Sequence, residues 1–127
     1  MRLLLDTCIL YDWMMDALSD PETVDLIQQT GAFVSAVSVW EMSIKHALGK
    51  MTLPSRRIVE DVEAQGFGWL YITPSHAQAV LDLPAYHKDP FDRLLIAQAQ
   101  CEGMQILTYD RLFREYLPET RLVRPST

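Results

Sequence analysis

At 127 residues, 49% hydrophobic and 22% charged, the chain has the length for one domain with a real core, and it is too apolar to be disordered. Its formal charge of −6 argues against sequence-independent adhesion to nucleic acid through a basic face, yet leaves room for a local acidic cluster neutralised by a divalent cation. Asp6 breaks the apolar run Leu3 to Leu5 and Asp12 interrupts Ile9 to Met15, so neither a signal peptide nor a membrane span fits and a cytoplasmic protein is expected.

Arg2 to Asp6 (RLLLD) is a short apolar run closed by a carboxylate, the pattern of a strand buried on both faces of a parallel sheet. Asp6 then lies at the C-terminal strand edge, where open α/β sheets bind their ligands. Ile9 to Leu18 is weakly helical, with Leu10, Trp13, Met14 and Leu18 at near-helical spacing; Trp13 and Met14 read as core or subunit contacts. Asp20 and Pro21 start a helix that runs to Thr30 and stops at Gly31. Ala32 to Ser35 is a second strand. Ser38 to Glu41 matches the S-x-x-E capping box and predicts a helix to Leu48, stopped by Gly49, with Glu41 in the first turn after a strand.

Arg56 to Gln65 is predicted helical, with Ile58, Val59 and Val62 inward. Trp69 to Ile72 is a third strand, and Thr73 with Pro74 opens a helix through Leu81. Leu83 to Lys88 is a connecting loop. Asp89 as N-cap, Pro90 at the first position and Gly103 as the stop delimit a helix over 90–102, whose broad buried surface would include Leu94, Leu95, Ala97, Ala99 and Cys101. Gln105 to Tyr109 is a fourth strand, Arg111 to Tyr116 a polar helix or turn, and Arg121 to Val123 a last short strand. No internal repeat or linker divides residues 1–127, which read as one domain.

Alternating strands and helices imply βαβ units and a mainly parallel sheet with helices on both sides. From Asp92 to Cys101 a helix climbs about 14 Å at ~1.5 Å per residue. From Gln105 to Asp110 a strand returns about 16 Å at ~3.3 Å per residue. Asp92 and Asp110 therefore finish at one edge, the edge that carries Asp6 and Glu41. Four carboxylates so close would repel one another unless a cation filled the space. An all-oxygen ligand set favours Mg²⁺ or Mn²⁺ over zinc, and phosphodiester hydrolysis is the reaction such a site suits.

Each acid also has a local explanation. Asp89 is an N-cap, Glu41 completes a capping box, Asp92 favours the positive end of a helix dipole, and Asp110 suits the start of a turn. Asp6 has the least structural need to be where it is. Thr7 and Ser38 neighbour the acids and are candidates to hydrogen-bond them. Lys45, Lys88, Arg93, Arg111 and Arg114 are candidates for phosphate contacts. His46, His76 and His87 lack any mutual spacing of acid/base partners and read as surface or packing residues. Cys8 and Cys101, far apart and without a CxxC, read as buried thiols.

Four blocks in this order, LLLDT at 3–7, SAVSVWEMSIKHALGK at 35–50, HKDPFDRLLIAQA at 87–99 and ILTYD at 106–110, resemble the PIN-domain ribonucleases and, within them, the VapC-type toxins of bacterial toxin–antitoxin pairs. The resemblance covers nearly the whole chain. It implies a PIN-like three-layer α/β/α fold with a parallel sheet of about five strands, a Mg²⁺ or Mn²⁺ site, and cleavage of single-stranded RNA. It places the family's metal-site acids on Asp6, Glu41, Asp92 and Asp110. It also implies a VapB-like antitoxin partner and a homodimer. Many similar sequences carry His where this chain has Cys8. The alternative reading is a PIN-like binding module without turnover that acts through a protein partner.

Overall fold

The computed structural model describes residues 1–126. Five short strands are found among them: β1 (Leu3–Leu5), β2 (Phe33–Ser35), β3 (Gly68–Leu70), β4 (Gln105–Thr108) and β5 (Arg121–Leu122). They form one sheet in the order β3-β2-β1-β4-β5, every neighbouring pair parallel. The helices are α1 (Thr7–Met14), α2 (Pro21–Thr30), α3 (Ala36–Ala47), α4 (Ile58–Ala64), α5 (Pro74–Ala79) and α6 (Pro90–Glu102). Two 3-10 turns, Val80–Asp82 and Arg111–Glu115, complete the set. Among the described residues no helix is long and apolar enough to cross a membrane.

The period of two along each strand divides the core into two layers. Leu3, Leu5, Val34 and Leu107 face one side, where they meet Ile9 and Leu10 of α1, Ile27 of α2, Met42 of α3, and Ile58 and Val62 of α4. Leu4 and Ile106 face the other side and meet Leu95, Ile96, Ala97 and Ala99 of α6 with Phe113, Tyr116 and Leu117. Leu4 and Leu5 are both fully buried, which accounts for the unbroken apolar run in β1. Each such side chain contributes about 1.5–3 kcal/mol by leaving water.

After β1 and β2 the chain passes from strand to helix with no linker, so the last strand residue or the one after it serves as the helix cap. Asp6 follows β1 in extended conformation and accepts the Thr7 amide of α1. Ser35, the last residue of β2, caps α3 by accepting the Val37 amide at 3.0 Å. This corrects the capping box expected at Ser38. Ser38 lies inside α3, fully buried, and Glu41 is in the second helical turn rather than the first. The S-x-x-E pattern is outcompeted because Ser35 is already extended and its hydroxyl reaches the first free amides.

Three smaller expectations are also corrected. Cys8 and Cys101 are exposed, not buried, because Ile9 and Leu10 take the core face of α1 and Leu95 to Ala99 take that of α6. Val59 is exposed, because Ile58 and Val62 alone fill the inward side of the short α4.

Candidate metal centre

In the order β3-β2-β1-β4-β5 the chain runs outward from β1 to one edge and then returns to its other side, so the topological switch point lies between β1 and β4. Crevices at such points, beyond the C-terminal strand ends, are where open α/β sheets form sites. Asp6 directly follows β1, and Asp110 lies two residues past the end of β4. Thr108, the fully buried last residue of β4, ties them together. Its hydroxyl donates to Asp6 Oδ2 at 2.7 Å and accepts the Asp110 amide at 3.0 Å. Asp6 Oδ1 accepts the Thr7 amide at 2.7 Å, which makes the carboxylate the N-cap of α1 as well. Asp110 Oδ1 accepts the Leu112 amide at 2.9 Å and caps the second 3-10 turn.

Asp92 is the third residue of α6, a helix whose start is fixed by Asp89: its Oδ1 accepts the Phe91 amide at 2.8 Å and the Asp92 amide at 3.0 Å. Glu41 is only 3% exposed. Its Oε2 accepts Lys45 Nζ at 2.5 Å, while its buried Oε1 has no hydrogen-bond partner. Thr7 Oγ1 and Ser38 Oγ, 2.8 Å apart, join α1 to α3.

Burial sets the electrostatics of these acids, and their charges on one another add to it. Burial pushes the Asp92 carboxyl up to about 8, and the charges of Asp6, Asp89, Glu41 and Asp110 add to the shift. Burial likewise pushes Asp6 up to about 6; the Thr108 and Thr7 hydrogen bonds oppose this, and Glu41 and Asp110 reinforce it. The Cys8 thiol, exposed at one side but backed by protein, is pushed up to about 12 by desolvation and then by Asp6, Glu41 and Asp92. Lys45 is raised by its hydrogen bond to Glu41. One cation, Lys45, therefore faces a field set by several carboxylates.

His87 is the residue that sequence reasoning misplaced. It is neither a surface nor a mere packing side chain: its Nε2 lies 2.9 Å from Asp92 Oδ2 and 3.1 Å from Asp110 Oδ2. The donor atoms of His87, Asp92 and Asp110 all fall within 4.8 Å of one another. Asp6 and Glu41 stand outside this tightest group and are coupled to it through their charges. The available signal was position, two residues ahead of the cap of a helix that carries an acid, rather than spacing to another histidine. His76 is buried and completes a capping box with Thr73, and His46 is exposed beside the Met51 carbonyl.

The cationic candidates separate in the same way. Arg93 donates to the carbonyls of Pro84, His87 and Leu83 at 2.9, 3.1 and 3.2 Å, so its guanidinium organises a loop rather than facing solvent. Lys45 is paired with Glu41, and Arg114 donates to the Thr120 carbonyl at 3.2 Å. Lys88 and Arg111 are exposed.

The donor set fits a hard divalent cation. Two carboxyls are raised chiefly by burial, with repulsion from neighbouring acids adding to it, and a third presents a buried oxygen with no donor, an arrangement that costs free energy until a positive charge enters it. Oxygen ligands of this kind are those of Mg²⁺ and Mn²⁺.

The sequence profile of the PIN domain matches residues 3–116, and the chain belongs to the PIN-domain family. Solved structures agree in fold. A DNA-bound VapBC from Salmonella typhimurium superimposes with a TM-score of 0.67 at 18% identity, covering 96% of each chain. A toxin–antitoxin complex from Klebsiella pneumoniae gives a TM-score of 0.67 at 16% identity over 98% of this chain and 99% of the other. VapBC2 from Rickettsia felis, bound to a DNA fragment from its promoter, gives 0.66 at 13% identity over 96% and 97%. Among curated proteins, none matches the sequence.

Proposed function

We propose that the protein is a metal-dependent endoribonuclease, the VapC-type toxin of a toxin–antitoxin pair, with Mg²⁺ or Mn²⁺ held by Asp6, Glu41, Asp92 and Asp110. The observation that carries this reading is the raised Asp6 and Asp92 carboxyls together with the orphaned Glu41 oxygen at the β1–β4 switch point. When bound, such a cation polarises the scissile phosphate and stabilises charge on the departing oxygen.

The chain's own groups do the rest. Thr108 and the Thr7 amide orient Asp6, and Asp89 sets the start of α6 so that Asp92 points into the crevice's field. Asp6 and Asp89 cap α1 and α6 at the site edge, so both helices bring their positive N-terminal ends to it, which favours an anionic phosphodiester. Lys45 donates to Glu41 Oε2 and holds that carboxylate at the start of the site.

A VapB-like antitoxin and a homodimeric toxin are part of the same reading, as is action in the cytoplasm. Of three solved relatives in fold, one is described as a toxin–antitoxin complex and two as VapBC bound to DNA, and this supports a protein partner. An apolar groove lined by Val39, Trp40, Val59, Trp69 and Tyr71, with Trp40 and Tyr71 exposed, supports it further, since contiguous exposed apolar surface marks an interaction site.

Purified protein incubated with structured RNAs should cleave them with Mg²⁺ or Mn²⁺ and not with chelator, and Asp92→Asn should be inactive. Equal cleavage by both proteins, or cleavage without metal, refutes the proposed site. Calorimetric titration with Mn²⁺ separates the nuclease from a binding module without turnover, which would take up no ion.

A further inference from the structure

We propose that His87 is a positioning residue of the acidic site: its ring N–H holds Asp110 against Asp92, and its tautomer is dictated by the backbone of Asp89. The inference rests on the functional reading above for its purpose, but its geometry stands independently. The two ring nitrogens face opposite demands. Nδ1 receives the Asp89 amide at 3.1 Å, and an amide N–H needs an unprotonated nitrogen. The ring hydrogen is therefore on Nε2, where Asp110 Oδ2 accepts it at 3.1 Å with Asp92 Oδ2 only 2.9 Å from the same nitrogen. A nitrogen that carries its hydrogen toward two carboxylates offers no lone pair to a cation. His87 thus belongs behind the acids, not among the ligands, although its donor atom lies within their cluster.

The ring cannot easily turn away. Its backbone amide donates to Tyr116 Oη at 2.7 Å and its carbonyl accepts from Arg93 at 3.1 Å. Tyr116 Oη in turn donates to the Pro84 carbonyl at 2.6 Å, and Arg93 also holds the Leu83 and Pro84 carbonyls. The imidazole stands edge-on to Phe113, with ring centroids 5.8 Å apart. Arg93 and Tyr116 thereby convert the loop before α6 into a rigid mount for one imidazole. The loop ends at Asp89, which caps the helix bearing Asp92 and also sets the His87 tautomer. One short segment thus orients both acids.

The test combines nitrogen NMR of the histidine rings with Mn²⁺ calorimetry. In metal-free wild-type protein His87 should show a protonated Nε2 and an unprotonated Nδ1. His87→Ala should bind Mn²⁺ about 10- to 100-fold more weakly, the range typical of groups that orient metal ligands. His87→Gln, whose amide N–H can reach the same oxygens, should recover most of that loss. A purely structural histidine would lower the melting temperature in both variants equally and leave the Mn²⁺ affinity alone, which would overturn the proposal. So would hydrogen on Nδ1, read from the unmutated protein and therefore independent of whether the variants fold. Wild-type protein that binds no Mn²⁺ would instead overturn the nuclease reading, and with it the role assigned to His87, whichever tautomer is found.

Discussion

Asp92 is the residue where burial and like charge act together most strongly, and its stability effect has a definite sign. Its carboxyl rises from 3.8 to about 8, and that of Asp6 from 3.8 to about 6, so in the metal-free protein the folded state holds both protons more tightly than the unfolded chain. Their contribution to stability is complete below the unfolded value of 3.8 and is lost as pH rises through the folded values. Thermal melts in chelator should therefore show stability falling between pH 4 and pH 8 by on the order of a few kcal/mol, and Asp92→Asn should flatten the part of that fall above pH 6. A melting temperature that rises over this interval would contradict the assignment. Thr108 supplies a second check at this scale. Thr108→Val keeps the shape but removes a buried hydroxyl that serves both Asp6 and the Asp110 amide, and should cost about 1–3 kcal/mol in urea denaturation.

At the scale of elements, α6 joins stability to the site through its first turn. Asp89 caps two amides, one of them that of Asp92 itself, so Asp89→Ala should cost about 0.5–2 kcal/mol and also weaken Mn²⁺ binding. The far end of the same helix provides the control. Gly103 ends α6 in the left-handed conformation at φ 64°, where a side chain is strained. Gly103→Ala should destabilise by about 1 kcal/mol while Mn²⁺ affinity stays unchanged. Calorimetry and urea melts on the two variants distinguish a helix that merely needs both ends from one whose N-terminus builds the site.

At the scale of the whole molecule, Asp6, Glu41, Asp92 and Asp110 come from four separate stretches of chain and feel one another's charges, and the proposed function makes that cluster a cation acceptor. Saturating Mn²⁺, at about 100 times its dissociation constant, should raise stability by about 2.7 kcal/mol, and Asp92→Asn should abolish that gain. The gain should be larger at pH 8 than at pH 5, because the ion competes with the protons that Asp6 and Asp92 otherwise hold. Differential scanning calorimetry at the two pH values measures this directly.

Much of this was written locally. The apolar run closed by Asp6, the Asp89–Pro90 start and Gly103 stop of α6, and the β-branched stretch ahead of Asp110 are signals that act over three or four residues, and each led to the right element. The rises of a helix and a strand were then enough to bring Asp92 and Asp110 to the same edge. Contacts between distant segments were not written that way. His87 and Asp110 are 23 residues apart in the chain, and their hydrogen bond exists only because the loop before α6 folds over the end of β4. Arg93 looked like a free cation because nothing in its neighbourhood reveals that the carbonyls of residues 83–87 will turn toward it. Ser38 matched a capping motif that Ser35 pre-empted once β2 ended against the sheet. Patterning and caps determined which residues could reach the site edge, because they depend on backbone geometry shared by every helix and strand. The tertiary structure alone decided which of them touch, because that depends on how separately formed elements dock.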